Sequence, residues 1–178
     1  MGYNLAELRM KVPEKNKAYF VEMVHTHMRI IYKICNLYAA AGDREDLKQE
    51  IIYQLWKSFP AFRGDSTFQS WMYRVSLNTA MLGLRARKVE YTRITDREAE
   101  IPDEGGTALD MENRIHQLYR QISKLNDLDK SIIFLYLEKC SYEEISGITG
   151  LSKGNVSVRL VRIREKLRHL FNLKNDLE

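Results

Sequence analysis

Cysteine is scarce in this chain of 178 residues, which contains only Cys35 and Cys140. The two cysteines lie far apart in apolar surroundings and neither belongs to a CxxC pair. We therefore expect two buried, reduced thiols and no disulfide framework. Proline and glycine are also few, with three and nine residues. Because turns depend on these two residue types, their scarcity argues against a turn-rich β-sandwich.

Long hydrophobic runs are absent as well. No stretch approaches the roughly 18 consecutive apolar residues that a membrane helix needs. The segment from Met1 to Lys11 has no apolar core of the signal-peptide kind, so we expect the chain to stay in the cytoplasm. Hydrophobic residues nevertheless make up 44% of the chain, which is enough to form a buried core.

Recognisable catalytic motifs are missing too. The sequence has no Ser/His/Asp set, no glycine-rich phosphate loop and no HExxH motif. His25 and His27 are two positions apart, a spacing that points them to different faces of a helix, and His116 and His169 are isolated. The sequence therefore predicts no enzymatic activity, no cofactor and no metal site.

Charge is unevenly distributed along the chain. The net charge is +4, but residues 90–112 hold eight acids against two arginines and so carry −6, which leaves +10 on the rest. This acidic stretch contains proline and glycine and few large apolar residues, a composition typical of a linker. The sequence predicts an all-α chain in which two small helical domains, residues 1–88 and 113–178, are joined by an acidic, flexible linker at 89–112.

The hydrophobic spacing predicts three helices in the first domain. Apolar residues recur at intervals of three and four from Phe20 to Tyr38, and Gly42 ends this first helix. Asp43 is predicted to cap the second helix, which Pro60 stops. Its buried stripe consists of Leu47, Ile51, Leu55 and Phe59.

The third helix is predicted from about Thr67 to Lys88. Ser66 and Gln69 have the spacing of a capping box, which marks its start. Its predicted buried side carries Phe68, Trp71, Met72, Val75, Thr79 and Leu82. Its far end is basic, with Arg85, Arg87 and Lys88.

Aromatic and polar residues lie close together at the start of this third helix. Trp71, Tyr73, Arg74 and Asn78 follow directly after the loop from Phe62 to Ser66. Aromatic side chains beside arginine and asparagine can stack on and hydrogen-bond unpaired bases. An ordinary structural role explains them equally well, with Phe62 and Trp71 in the core and Arg74 solvated.

The second domain contains the signature of a helix-turn-helix. Ser141 and Glu144 form a capping box that opens a short helix. Gly150 can adopt the left-handed conformation that a tight corner between helices needs, and Ser152 caps a new helix starting at Lys153. This order indicates a helix-turn-helix, with an ordinary helical hairpin as the alternative.

The second helix of this motif has one apolar face and one basic face. Val156, Leu160, Ile163 and Leu167 should face the core. Six cations stand against the single acid Glu165 between residues 153 and 168, a bias that suits phosphates. The outward residues are small or apolar and allow close approach to base edges: Gly154, Ser157, Val158, Val161 and Arg162. These features favour DNA binding by this helix.

Two sets of motifs resemble bacterial RNA polymerase sigma factors. The first set is similar to their core-binding and promoter-melting domain and lies at Asp46–Trp56, Phe62–Phe68, Trp71–Arg74 and Asn78–Ala80. The second set is similar to their C-terminal helix-turn-helix and lies at Ser141–Ile145 and Val156–Leu167. Because the two sets occur in the family's order and are joined by a short linker, the chain is identified as a member of the extracytoplasmic-function (ECF) group.

The resemblance implies a protein that binds core RNA polymerase at its clamp helices, directs it to promoters and helps to open the DNA. The implied polymerase-binding residues are Asp46, Gln49, Glu50 and Tyr53, which fall off the buried stripe of their helix. The implied contacts to the minus-ten element, where a flipped base is captured, are Phe62, Arg63, Ser66, Trp71, Arg74, Asn78, Arg85 and Lys88. Many relatives carry a polar residue where this chain has Leu82.

The resemblance also implies how the C-terminal helix contacts the minus-thirty-five element. The implied base readers are Ser157, Val158, Val161 and Arg162. The implied phosphate contacts are Lys153, Arg159 and Arg164, and Asn155 completes the set of DNA-binding residues. Anti-sigma factors are common partners in the family, and the exposed apolar residues expected on both domains leave room for one.

Two other classes of protein are compatible with parts of the sequence. A helix-turn-helix regulator could bind DNA without polymerase and use its N-terminal domain for dimerisation or sensing. A helical adaptor would have no role in DNA binding at all. The Asp46–Asn78 motifs argue against the regulator, and the basic recognition helix argues against the adaptor.

Overall fold

The computed structural model describes residues 17–91 and 118–175, with side chains for residues 17–83 and 118–169. All regular structure within these residues is helical, so the predicted all-α class is confirmed. The chain divides into two compact units, Met1–Ile94 and Thr95–Glu178. The predicted acidic linker falls largely outside the described residues.

Within residues 17–91, four α-helices form the N-terminal unit. They are α1 (Lys17–Thr26), α2 (Met28–Tyr38), α3 (Arg44–Ser58) and α4 (Phe68–Tyr91), with 3₁₀ turns at Ala41–Asp43 and Phe59–Ala61. Helix α4 packs against both α2 and α3. The core lies between these three helices and includes Ile31, Ile34, Ile51, Leu55, Met72 and Leu77.

The predicted first helix is two helices, because the chain breaks at His27. The amide of His27 is shared between the carbonyls of Met23 and Val24, at 3.3 and 3.2 Å. The ring Nδ1 of His27 also lies 2.9 Å from the Met23 carbonyl oxygen. The second half ends at Tyr38, so the prediction that Gly42 ends the helix was wrong.

The starts of α3 and α4 differ from the predicted caps. Asp43 precedes α3 but makes no side-chain capping hydrogen bond, since the chain enters the helix from a 3₁₀ turn. At α4 the cap is Thr67, whose Oγ1 accepts from the amide of Ser70 at 3.1 Å. The predicted capping box of Ser66 and Gln69 therefore lies one residue too early.

Helix α4 buries a face slightly rotated from the predicted one. Phe68 and Met72 are buried as expected, but Leu82 is 63% exposed, so its assignment to the core side was wrong. Tyr73 and Leu77 are buried instead. Because α4 packs against helices on two sides, its buried face is wider than a single stripe.

Four helical segments form the described part of the C-terminal unit. They are α5 (helical over residues 118–123), α6 (Asp127–Leu137), α7 (Tyr142–Thr149) and α8 (Lys153–Asn175). Helices α6, α7 and α8 pack against one another. The stripe predicted for α8 is confirmed, since Val156, Leu160, Ile163 and Leu167 are all buried.

Local hydrogen bonds fix the corner between α7 and α8. Ser141 and Glu144 form the predicted capping box, in which each side chain bonds to the other residue's amide. Gly150 has φ +75°, the left-handed conformation that glycine adopts at no steric cost. Ser146 Oγ donates to the carbonyl of Leu151 across the corner. The predicted helix-turn-helix is confirmed.

Candidate functional site

Helix α3 presents its polar face outside the core of the N-terminal unit. Ile51 and Leu55 anchor the opposite face and are fully buried. All four residues predicted to bind polymerase are exposed on α3: Asp46, Gln49, Glu50 and Tyr53. The structure therefore brings them together on one accessible helix face.

An apolar cleft of about 430 Å³ borders this face, between α1 and α3. Val21, Tyr53 and Trp56 line it and are 54%, 55% and 45% exposed. The ring of Phe20 forms the floor, with its centroid 5.0 Å from that of Trp56. Large exposed apolar side chains grouped in a cleft are typical of a protein-binding surface. Sequence reasoning missed Val21 and Trp56, because exposure of an apolar residue depends on how α1 packs on α3.

The loop before α4 is held by an aromatic cluster. Phe62 is buried, and its ring lies 5.1 Å from that of Trp71 and 5.8 Å from that of Phe68. Trp71 is half-buried and contacts Phe59 and Phe68 as well. These rings pack the loop against the start of α4. Phe62 lies in the core, as the structural alternative predicts, whereas Trp71 does not.

Polar residues predicted for the minus-ten element surround this cluster on the surface. Arg63 and Ser66 are exposed in the loop, and Arg74 and Asn78 are exposed one turn apart on α4. The side chains of Arg85 and Lys88 lie outside the described residues. The structure thus presents four exposed polar side chains beside the aromatic cluster.

Helix α8 presents the predicted DNA-binding residues on its outer side. Lys153, Asn155, Val158, Val161, Arg162 and Arg164 are exposed, and Ser157 and Arg159 are half-buried. The two valines are each 51% exposed. Apolar groups at this exposure on a basic helix can contact thymine methyl groups in a major groove.

The three predicted phosphate contacts on α8 each have a partner on another helix. Lys153 forms an ion pair with Glu143 of α7. Arg159 donates from Nη1 to Asp129 Oδ1 of α6 at 2.8 Å. The guanidinium carbon of Arg164 lies 4.6 Å from the ring centroid of Tyr136, also on α6. Sequence reasoning missed Glu143, Asp129 and Tyr136, since none has a local spacing to its partner.

Burial perturbs a few titratable groups. It raises the pKa of the Cys35 and Cys140 thiols to about 11, so both are protonated at neutral pH. Burial lowers the pKa of Lys130, an effect that the nearby Asp127 carboxylate opposes. Within residues 17–91 and 118–175 no cluster of His, Cys, Asp or Glu could hold a metal ion. None of the described helices is long and apolar enough to cross a membrane.

Comparison with known proteins connects both units to one family. The family model for sigma-70 region 2 matches residues 23–89, and that for sigma-70 region 4 matches residues 115–167. The chain is 29% identical over 169 residues to the ECF RNA polymerase sigma-E factor of Escherichia coli K12, covering 88% of each chain. It is 28% identical over 171 residues to that of Haemophilus influenzae, covering 89% of this chain and 90% of the relative.

Two solved structures share the fold. One is the sigma factor RpoE of Bartonella quintana in complex with the anti-sigma factor NepR, with a TM-score of 0.69 and 21% identity over 88% of this chain and 98% of that chain. The other is CnrH in complex with the cytosolic domain of CnrY, with a TM-score of 0.63 and 20% identity over 94% of each chain.

In this chain a helical unit is followed by a helix-turn-helix unit. The matches to sigma-70 regions 2 and 4, in that order, identify the chain as a transcription initiation factor of the sigma-70 family. The chain belongs to the extracytoplasmic-function group of sigma-70 factors. It binds core RNA polymerase and directs promoter-specific initiation of transcription, and its family is non-catalytic.

Proposed function

We propose that each predicted surface of this sigma factor contacts a separate part of the initiation complex. Residues 1–88 form the domain that binds polymerase and melts the minus-ten element, and residues 113–178 form the domain that binds the minus-thirty-five element. Residues 89–112 form the acidic linker, of which residues 89–91 are the last turn of α4. The protein works in the cytoplasm and contributes contacts to the initiation complex, with no chemical step of its own.

The polymerase-docking surface is the exposed face of α3 with the adjoining cleft. The observation that carries this proposal is the exposure of all four predicted residues, Asp46, Gln49, Glu50 and Tyr53. The cleft beside them supplies large apolar side chains, which dominate the energetics of most protein interfaces. The carboxylates of Asp46 and Glu50 supply the polar rim that fixes orientation.

Melting of the minus-ten element is assigned to the loop before α4 and the exposed residues of α4. Removing a base from the stack costs a few kcal/mol, which specific contacts to the extruded base offset. Asn78 can hydrogen-bond a base edge, while Arg63, Ser66 and Arg74 contact the base or the backbone. Phe62 and Trp71 pack the loop against the start of α4 and are proposed to line the pocket for the extruded base. Arg85 and Lys88, further along the same helix, are proposed to contact phosphates.

Binding of the minus-thirty-five element is assigned to α8 in the major groove. Val158, Val161 and Arg162 lie along the side of the helix opposite its buried stripe, and Asn155 and Ser157 lie between the two sides. Lys153, Arg159 and Arg164 extend the contact at its flanks. The cationic bias of this face favours phosphates, and its small side chains allow base edges to approach.

An anti-sigma factor is a proposed further partner. The solved structures of RpoE with NepR and of CnrH with CnrY are complexes of this kind. The apolar cleft at Val21, Tyr53 and Trp56 offers a surface on which such a protein could compete with polymerase.

Substitution of Tyr53 tests the docking surface. Because Tyr53 is half exposed and lines the apolar cleft, we expect Tyr53→Ser to weaken binding to purified core RNA polymerase at least about tenfold, as truncation of an interface anchor does. Tyr32→Ser is the matched control, since Tyr32 of α2 is 50% exposed and lies outside the cleft. Equal effects of the two substitutions on affinity, measured by fluorescence titration, would contradict this assignment.

A further inference from the structure

A carboxylate outside the recognition helix holds one of its arginines. Asp129 lies in the first turn of α6, thirty residues before Arg159, and its Oδ1 accepts from Arg159 Nη1 at 2.8 Å. The side chain of Asp129 is 18% exposed and that of Arg159 is 38% exposed. The pair therefore lies at the edge of the C-terminal unit, partly shielded from water.

The position of the Asp129 carboxylate is itself fixed by its neighbour Asn126. Asn126 Nδ2 donates to Asp129 Oδ2 at 2.6 Å. The amide of Asp129 donates to Asn126 Oδ1 at 2.9 Å. Both carboxylate oxygens are thus engaged, and the acceptor that meets Arg159 is anchored to the start of α6. An arginine held in this way has less rotamer freedom to lose when it binds DNA.

The ion pair borders a groove on the outer side of α8. This groove has a volume of about 370 Å³ and is lined by Asp129, Leu151, Asn155, Val158, Arg159 and Arg162. Four of these residues, Asn155, Val158, Arg159 and Arg162, belong to the proposed DNA-binding set. A guanidinium has five N–H donors, and the bond to Asp129 uses one of them. The remaining donors of Arg159 are at the edge of a groove where base edges are expected.

Charge distinguishes two roles for Arg159. A phosphate contact depends on net positive charge, and a carboxylate at 2.8 Å offsets most of that charge and repels phosphates as well. Recognition of a base depends on the direction of the hydrogen bonds. A guanidinium held in one orientation can donate two parallel hydrogen bonds to the O6 and N7 acceptors of guanine. Arg159, when paired with Asp129, is therefore better suited to recognising a base than to binding a phosphate.

We propose that Asp129 is a positioning residue that orients Arg159 to read a guanine in the major groove of the minus-thirty-five element. This inference rests on the proposed binding of that element by α8, and it replaces the phosphate role expected for Arg159. Lys153 and its partner Glu143 provide a contrast on the same face. Both side chains are more than half exposed, and a lysine acts as a point charge that needs no fixed orientation.

The test uses holoenzyme assembled from the full chain and core RNA polymerase. The probe is a pool of duplex promoters randomised over both promoter elements, from which transcribed templates are selected and sequenced. The variants are Arg159→Ala, Arg159→Lys and Asp129→Ala. Glu143→Ala is the control, because it also removes a carboxylate paired with a cation of α8. Circular dichroism and thermal unfolding establish that each variant is folded.

We expect the wild-type chain to select guanine at one minus-thirty-five position by about 5- to 150-fold, the range for a bidentate arginine contact. Arg159→Ala and Arg159→Lys should both reduce this preference to below about twofold. Alanine removes the side chain's charge and donors, and lysine keeps the charge but lacks the paired N–H donors of the guanidinium. Asp129→Ala should reduce it at least about threefold at the same position. The affinity of the Asp129→Ala holoenzyme for unrelated duplex DNA should rise or stay constant, whereas a destabilised C-terminal unit would bind such DNA more weakly. Glu143→Ala should leave the guanine preference unchanged.

Four outcomes would overturn the inference. A guanine preference retained in Arg159→Lys would show that only the positive charge at position 159 matters. A preference lost in Arg159→Ala but kept in Asp129→Ala would show that Asp129 does not position the arginine. If the wild-type holoenzyme selects an upstream element and none of its positions depends on Arg159, the inference fails while the sigma-factor function stands. Selection of no element at all by the wild type would overturn both.

Discussion

Burial sets the chemistry of individual side chains in this protein, and the two cysteines show it most directly. Cys35 lies in the core of the N-terminal unit and is 2% exposed, and Cys140 is half-buried between α6 and α7. Desolvation disfavours their thiolates and is the largest cause of their raised pKa values. Since the thiolate is the reactive form, both residues should be inert in the folded chain.

The cysteine pKa values predict slow alkylation of the folded protein. With a pKa of about 11 instead of 9.0, each thiol should be about 100-fold less ionised at pH 7.5 than in the unfolded chain. Iodoacetamide labelling followed by mass spectrometry, with and without urea, measures the difference. Because burial disfavours the thiolate, the free energy of unfolding should not depend on these thiols below pH 9 and should fall as the pH rises from 9 toward 11. Equal labelling rates in the folded and unfolded chains would contradict the predicted burial.

Asn78 provides a second prediction at the residue scale. If its exposed amide hydrogen-bonds an extruded base, Asn78→Ala should reduce open-complex formation about three- to tenfold, the effect of losing one hydrogen bond. Permanganate reactivity of unpaired thymines in holoenzyme–promoter complexes measures it. Gln69→Ala, on the exposed side of the same helix, is the control. An unchanged permanganate pattern in Asn78→Ala would exclude Asn78 from base capture.

At the scale of elements, sequence patterns predicted correctly the helices whose ends and buried faces are determined by residues close to them in sequence. The α7–α8 corner follows from Ser141, Glu144 and Gly150, which act on backbone groups within a few residues. The break at His27 carries no such signal, because neither glycine nor proline marks it. The exposure of Leu82 was missed because the buried face of α4 is decided by two packing partners distant in sequence.

Gly150 allows the corner to be tested by a pair of substitutions. A methyl group at Gly150 or at Gly147 would meet no heavy atom within 4 Å other than those of its chain neighbours and its own helix backbone, so neither substitution creates a clash with another part of the chain. Gly150→Ala should destabilise the C-terminal unit by about 1–2 kcal/mol, because alanine resists the left-handed conformation. Gly147→Ala, inside α7, should stabilise it by about 0.5–1 kcal/mol.

Amide exchange over α7 and the start of α8 in the full chain measures both effects. Opposite signs for the two substitutions support the left-handed corner. A Gly150→Ala variant as stable as the original chain would contradict it.

At the scale of the whole molecule, the candidate site is spread over two units, and sequence and structure contributed different parts of it. Periodicity and resemblance predicted which residues of α3 and α8 face outward, and the structure agrees. Tertiary contacts could not be predicted in this way. Asp129 and Arg159 are thirty residues apart, and Val21 and Trp56 line the same cleft only because α1 packs on α3. The partners of the cations predicted to bind DNA, and the apolar cleft, are therefore evident only in the fold.

Promoter-specific transcription tests the central claim most directly. The purified chain is mixed with core RNA polymerase and a pool of promoter templates, and run-off transcripts are compared with those from core polymerase alone. As a sigma factor, the chain should yield discrete transcripts that begin at defined start sites and disappear when either promoter element is replaced. Binding of the free chain to DNA, without association with core polymerase and without such transcripts, would contradict the account and favour a polymerase-independent regulator.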